Sequence, residues 1–322
     1  GLKYTDVSVD GAPPFVALAN AIGPLRGIVV NYLWVKVNFM KERGQFYELM
    51  ADADLITKLQ PRFGKVWTFH GHNLAYNVSV ATHTEEERWE WVKSGIRLVR
   101  NEGLRHNPNE LELYRELAFW FGHKIGGYTD DAHLYYKTEF CREWHFLLGE
   151  PPLAYRDRID WIEAVAQAPA TLDEAEARTP GVKALVQRLR AGLNPYQQQT
   201  FDLDHRFLMN YGWWQAVRNQ SQVAQLLGIA EQERERNPHF RAFDEIASDP
   251  SVRDAWKTLL AHTRKKVIKN EYNMDAAIMA RYTRELGPID WRHPHAHQLY
   301  WSTLGMERAE HRRLYEEGIY RV

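Results

Sequence analysis

The stretch LYRELAFWF, residues 113–121, decides the fold class. Leu113, Leu117, Trp120 and Phe121 fall at i, i+4, i+7 and i+8, which places them on one face of a helix. Leu55, Ile56 and Leu59, following Leu49, repeat the pattern. Strand signals are scarce: alternating Val/Ile/Thr runs joined by Asn-Gly or Asp-Gly turns are almost absent. The chain therefore reads as all-α.

The same stretch carries a second pattern, Tyr114-x2-Leu117-Ala118-x2-Phe121. Trp67-x2-His70-Gly71-x2-Leu74 matches it, and Trp301-x2-Leu304-Gly305 matches its first half. A large residue fills the gap between two paired helices. Four residues later, on the same face, Gly or Ala lets the second helix come close. Gly44-x-Phe46-x2-Leu49 with Ala53, Ile56, Leu59 and Pro61 reads as such a second helix, and so does Gly127-Tyr128-x3-Ala132-x3-Tyr136. Pro61 and Pro108 are expected in the first turn of the helices that follow them. The interval between them is long for one repeat, and the excess is expected in a loop around ATHTEEER, residues 81–88.

These spacings resemble tetratricopeptide (TPR) repeats over about residues 27–140 and again over about 288–312. The longer block is also similar to uncharacterised bacterial TPR-like proteins with an N-terminal hydrophobic segment. The resemblance implies a helix-turn-helix solenoid with an irregular helical middle, forming the soluble part of a membrane-tethered bacterial protein. It also implies a concave groove that holds a partner's segment. Carried over by motif, the groove residues are Lys65, Thr68, His72 and Tyr76 on one helix and Glu112, Arg115, Phe119 and His123 on the next.

Breaks divide the chain. Residues 1–24, with Gly11, Pro13, Pro14, Gly23 and Pro24, read as an irregular lead-in. Helical repeats are expected over 25–148, ending at GEPP (149–152). A divergent helical segment follows over 149–272, and C-terminal helices over 273–322. Residues 168–181 read as a loop, a short acidic helix and another break. Asn237-Pro238 and Ser248-Asp249-Pro250 mark further helix boundaries. Because the chain starts at Gly1 rather than Met, its natural N-terminus is expected to have been removed or replaced, and a signal or anchor there would not be visible in the sequence.

Composition narrows the function. With 41 Lys+Arg against 42 Asp+Glu, the chain has no electrostatic case for nucleic acid or an anionic membrane. A single cysteine, Cys141, excludes CxxC redox, cysteine-rich zinc and CxxCH haem motifs. No phosphate loop and no GxSxG elbow is present, and Ser94, Ser221 and Ser302 lack a nucleophile's context. No cofactor is expected. The short runs EEER (85–88) and TRKK (263–266) read as solvated faces.

The histidines are the remaining chemistry. HPHAH, residues 293–297, invites a metal site made of His293, His295 and His297. Pro294 instead marks a helix entry, and on a helix His295 and His297 stand about 200° apart. Ala296, Tyr300, Thr303 and Leu304 are then expected to face the core. Asp130 with His133, and Glu307 with His311, have helical pair spacing, but a metal site needs three or four fixed ligands. His70 sits in the leucine slot of the motif, as a hydrogen-bonded core histidine, while His72 points toward the groove.

The leading function is a non-enzymatic interaction or scaffold module that binds a protein or peptide segment. Its alternatives are a helical metal- or cofactor-dependent enzyme using histidines and carboxylates, and a structural subunit of an oligomer.

Overall fold

The computed structural model describes residues 23–152, 154, 157–219, 237 and 239–315, without the side chains of Pro24 and of residues 311–315. Most of the lead-in, Ser221 and the side chain of His311 thus lie outside the described residues. The described chain is helical and has no strand. It forms two compact units, one holding the chain up to Tyr136 and from Trp301 onward, the other Lys137–Tyr300. No helix among the described residues is long and apolar enough to cross a membrane.

The first unit begins with α1 (Arg26–Glu42) and α2 (Glu48–Leu59). Val30, Leu33 and Val37 of α1 meet Leu49, Ala53, Ile56 and Leu59 of α2, and Val66 joins them from the next helix. That helix, α3 (Gly64–His72), runs on through a π-helical turn (Asn73–Val78) and a last α turn (Ser79–Ala81). α4 (Glu85–Arg97) likewise continues through a π turn (Leu98–Gly103) into Leu104–His106. α5 (Leu111–Phe119) ends in a third π turn (Trp120–Ile125). Leu113, Leu117, Trp120 and Phe121 are all buried, as their spacing requires.

The expected large loop at 81–88 is instead three residues long. Thr84 caps α4 by accepting the Glu87 N–H at 3.2 Å. The extra length between Pro61 and Pro108 goes into the helices, each lengthened beyond its π turn. Pro61 and Pro108 do not enter the helices either. Each lies in a turn ahead of one and offers its carbonyl. Trp67 Nε1 donates to Pro61 O at 2.9 Å, and Tyr114 Oη donates to Pro108 O at 2.7 Å, six residues along in both cases. Asn107 also donates to Pro61 O, at 2.8 Å. Gly127–Asp131 forms turns rather than helix, and α6 (His133–Leu148) starts only after the buried Ala132.

The small residue of the motif does what the sequence asks of it. A Cβ on Gly95 of α4 would stand 2.5 Å from Gly71 O and 3.0 Å from Ala75 Cβ. One on Gly71 would meet Val99 at 2.6 Å and Trp120 at 2.8 Å. The two helices touch backbone to backbone here. Gly95→Ala gains about 1 kcal/mol of helix propensity but forces α3 and α4 apart, at a cost of about 3 kcal/mol. A net loss of about 2 kcal/mol in urea unfolding is the expected result.

The second unit is built around α13 (Arg253–Asn270). Packed on it are α7 (Asp157–Ala166), α8 (Leu172–Arg178), α9 (Val182–Ala191), α11 (His205–Asn219), α12 (Phe240–Ala247) and α14 (Ala276–Leu286), with α10 (Pro195–Thr200) between α9 and α11 along the chain. The short acidic helix expected within 168–181 is α8, capped by Thr171. The basic run TRKK is not a solvated face. Thr263 is fully buried, Arg264 donates to Leu147 O at 3.1 Å, and Lys265 donates to Ala166 O and Ala168 O at 2.8 and 2.7 Å. These cations satisfy carbonyls at the ends of α6 and α7, which lack intrahelical partners. Lys266 pairs with Asp202 at 2.7 Å.

Pro294 opens the last helix, α15 (Pro294–Tyr315), as expected from the sequence. Ala296 and Tyr300 are buried, but Thr303 and Leu304 are only half-buried, and His297 and Trp301 take core positions instead. In the first unit, a Cβ on Gly305 would stand 2.9 Å from Tyr114 Cβ, so this glycine also marks a close approach.

Candidate functional site

α3 and α5 each carry a ring pair four residues apart, and the two pairs meet. The His72 and Tyr76 rings stack at 4.5 Å with 3° between their planes. Phe119 and His123 stack at 4.7 Å and 16°. Tyr76 lies 6.3 Å from Phe119 and 6.0 Å from His123, again near parallel. Its hydroxyl sits 3.2 Å from His123 Nδ1, a contact spanning 47 residues. Four of the eight residues expected in the groove are thus one cluster of rings. Phe119 and His123 are exposed, and His72 and Tyr76 are half-buried.

The other four separate. Thr68 turns inward, buried, with its hydroxyl on Lys65 O at 3.1 Å. Lys65 is exposed. Arg115 pairs with Glu116 at 3.1 Å and lies 3.9 Å from Glu112, which makes these three a charged rim on α5 rather than part of the ring cluster.

Beneath the rings lies an ion pair that sequence spacing did not reveal. Lys124 Nζ, on a side chain 4% exposed, meets Asp130 Oδ2 at 2.5 Å and stands 4.8 Å from the centre of the Tyr76 ring. Asp130 also accepts the Ala132 N–H at 2.9 Å, with Arg88 at 3.7 Å. Burial works to raise the Asp130 pKa, but the hydrogen bonds from Lys124 and Ala132 outweigh it and hold the carboxyl below its ordinary value. Burial pulls Lys124 below the usual lysine range against the opposing pull of Asp130. Asp130 is therefore engaged with Lys124 and is not half of a metal pair with His133.

Burial also lowers His72, helped by Lys41 and Lys124 and opposed by Glu116. Tyr76 is pushed well above its ordinary value, first by burial and then by Glu116 and Asp130. At neutral pH His72 and Tyr76 accordingly present neutral π faces over a compensated buried charge.

The histidines of 293–297 do not converge. His297 is fully buried with Nε2 3.0 Å from Trp291 O, and its ring packs against Trp144 and Phe140. His293 is exposed and stands 5.0 Å from the His295 ring, with its Nδ1 facing the His295 N–H. Among the described residues no group of three His, Cys, Asp or Glu side chains is placed to hold a metal ion. His70 is in the core, as expected, but its Nδ1 has no hydrogen-bond partner.

The chain matches no known family, characterised protein or solved structure. Its own geometry is the guide. The second unit adds a cavity of about 320 Å³, lined by Phe201, Asp202, Arg206, Phe207, Asn210 and His239 among others. None of these residues had been marked by a motif.

Proposed function

We propose that the chain is a non-enzymatic interaction module that holds a segment of a protein partner on the ring face of α3 and α5. The carrying observation is the cluster of His72, Tyr76, Phe119 and His123, near-parallel rings from two helices with their outer members open to solvent. Stacked rings are already ordered, so binding on them costs little further side-chain entropy. Aromatic anchors inside a charged rim are the usual composition of a binding hot spot, and Arg115, Glu112 and Glu116 supply that rim.

Site-specific photocrosslinking tests the reading. A benzoyl-phenylalanine at Phe119 is expected to capture a partner that the same group at Tyr196, exposed in the second unit, does not. Adding His123→Ala to the Phe119 probe is expected to weaken capture about 30-fold, the effect of removing one hot-spot side chain. Identical adducts from both positions, or capture indifferent to His123, would remove the ring face from consideration.

A further inference from the structure

α1 is apolar on two faces. One face packs on α2. The other presents Leu25, Ile28, Tyr32, Val35 and Phe39, each between 53% and 71% exposed. Their spacing is 3-4-3-4, the spacing of a coiled-coil seam. Soluble chains rarely leave such a continuous stripe uncovered.

We propose that this face binds a second copy of the chain, with the two α1 helices packed antiparallel about a twofold axis. Three observations select this occupant. The first is the stripe itself, because a 3-4 seam fits another 3-4 seam and a twofold interface needs a patch complementary to itself. Antiparallel pairing also matches side-chain size. It sets Tyr32 against the partner's Val35 and Ile28 against the partner's Phe39, so each of these central layers holds one ring and one β-branched residue, while Leu25 lies at the ends beside the partner's Glu42. Parallel pairing would set ring on ring and leave a thin Val35 layer.

The second observation is charge. No charged residue lies between Arg26 and Lys36, and the seam is flanked by Gly27, Asn31 and Asn38, so the central layers of two copies meet without like charges. Beyond Arg26, the nearby cations are already engaged. Lys36 binds Asp52 at 2.7 Å, the Arg43 guanidinium lies 4.0 Å over the Phe39 ring, and Lys41 stands 5.8 Å from the Phe69 ring. They do not form the free basic belt that an anionic lipid surface would require. The third is area. Five such side chains offer about 500 Å² per copy, or about 1,000 Å² for the pair, which reaches the lower bound for a specific interface before any flanking residue is added.

Sedimentation equilibrium on the full chain tests the proposal. The wild type is expected to be dimeric at micromolar concentration. Val35→Lys, at a position 71% exposed, is expected to weaken the dimer at least about a hundredfold. Tyr196→Lys, exposed in the second unit, leaves it unchanged, and circular dichroism and thermal melts confirm that both variants fold. For orientation, Cys141→Ser removes the native thiol, and Tyr32→Cys protein is mixed with Val35→Cys protein under oxidation. Disulfide-linked dimers are expected in the mixture and not from either protein alone. A wild type that stays monomeric throughout, a Val35→Lys dimer of undiminished strength, or self-crosslinking by each single-cysteine protein would each overturn the arrangement. A monomer that floats with phosphatidylglycerol vesicles would overturn it in favour of a lipid surface. The test is independent of the ring face on α3 and α5.

Discussion

Replacing Lys124 by methionine is expected to cost the protein about 3–5 kcal/mol, the usual penalty for removing one partner of a buried ion pair. Methionine keeps the length and apolar stem of lysine, so lost packing contributes little. The cost arises because Asp130, whose side chain is 6% exposed, keeps its charge without its nearest counterion. Arg88, 3.7 Å away, and the Ala132 N–H soften the loss but do not cancel it. Adding Asp130→Leu to Lys124→Met removes the stranded charge, and most of the stability should return. A urea titration of wild type, single and double variants reads this as a midpoint that falls and then recovers. A single variant as stable as wild type would mean that the pair sits in a wetter setting than its burial implies.

The same pair sets an acid limit. The folded pKa of Asp130 lies below the ordinary aspartate value of 3.8, so its contribution is complete above that pH. It is lost as pH falls through the lower, folded value.

The contrast between Lys124 and its neighbours shows what a sequence states and what it conceals. Helices were legible because burial in them is periodic. Leu113, Leu117, Trp120 and Phe121 announce a face from their spacing alone, and the acidic run within 168–181 announces a short helix, which Thr171 turns out to cap. Gly71 was legible for the same reason, since a small residue one turn after Trp67 has a steric purpose, but Gly95, the glycine it meets, was not marked by any motif. Six residues and a turn separate Lys124 from Asp130, a spacing that matches no helical or hairpin pair, so their meeting depends on the path of residues 126–132. Lys265 was misread alike. A lysine in a basic run is usually solvated, and only the position of the end of α7 reveals that it caps carbonyls there.

Half of the residues expected in the groove came together, as the ring face. The steps from His72 to Tyr76 and from Phe119 to His123 place each pair on one helix face. Thr68 was placed on the same face but turns inward, its hydroxyl bonding back to the preceding turn. The π turns had no sequence signal. They widen α3 at Asn73–Val78 and α5 at Trp120–Ile125, shifting the faces of the residues beyond by an amount that a 3.6-residue period does not capture.

His70 should make the fold sensitive to mild acid. It is 6% exposed, its Nδ1 has no hydrogen-bond partner, and burial holds its pKa down to about 4, against a weak upward pull from Asp54. A base whose folded pKa is depressed binds fewer protons in the folded state than in the unfolded one. Stability is therefore intact above pH 6.5, the ordinary histidine value, and declines as pH falls from there to about 4, where the loss levels off. From the 1.36 kcal/mol that each pKa unit represents, His70 accounts for roughly 2 kcal/mol lost at pH 5 and roughly 3 kcal/mol by pH 4. The motif suggests the control. His70 occupies a slot where the TPR-like pattern places leucine, so His70→Leu fills the site with apolar surface and removes the unpaired nitrogen. The variant should gain about 1–2 kcal/mol at pH 7, and its stability between pH 6.5 and 4 should lose the slope that the wild type shows. Urea midpoints for the two proteins across that range separate this cause from Asp130, whose window opens only below 3.8. Parallel curves would place the acid sensitivity on a group other than His70. Curves already about 1–2 kcal/mol apart at pH 7 that diverge further toward pH 4 would show the cost of an uncapped imidazole in a leucine's place.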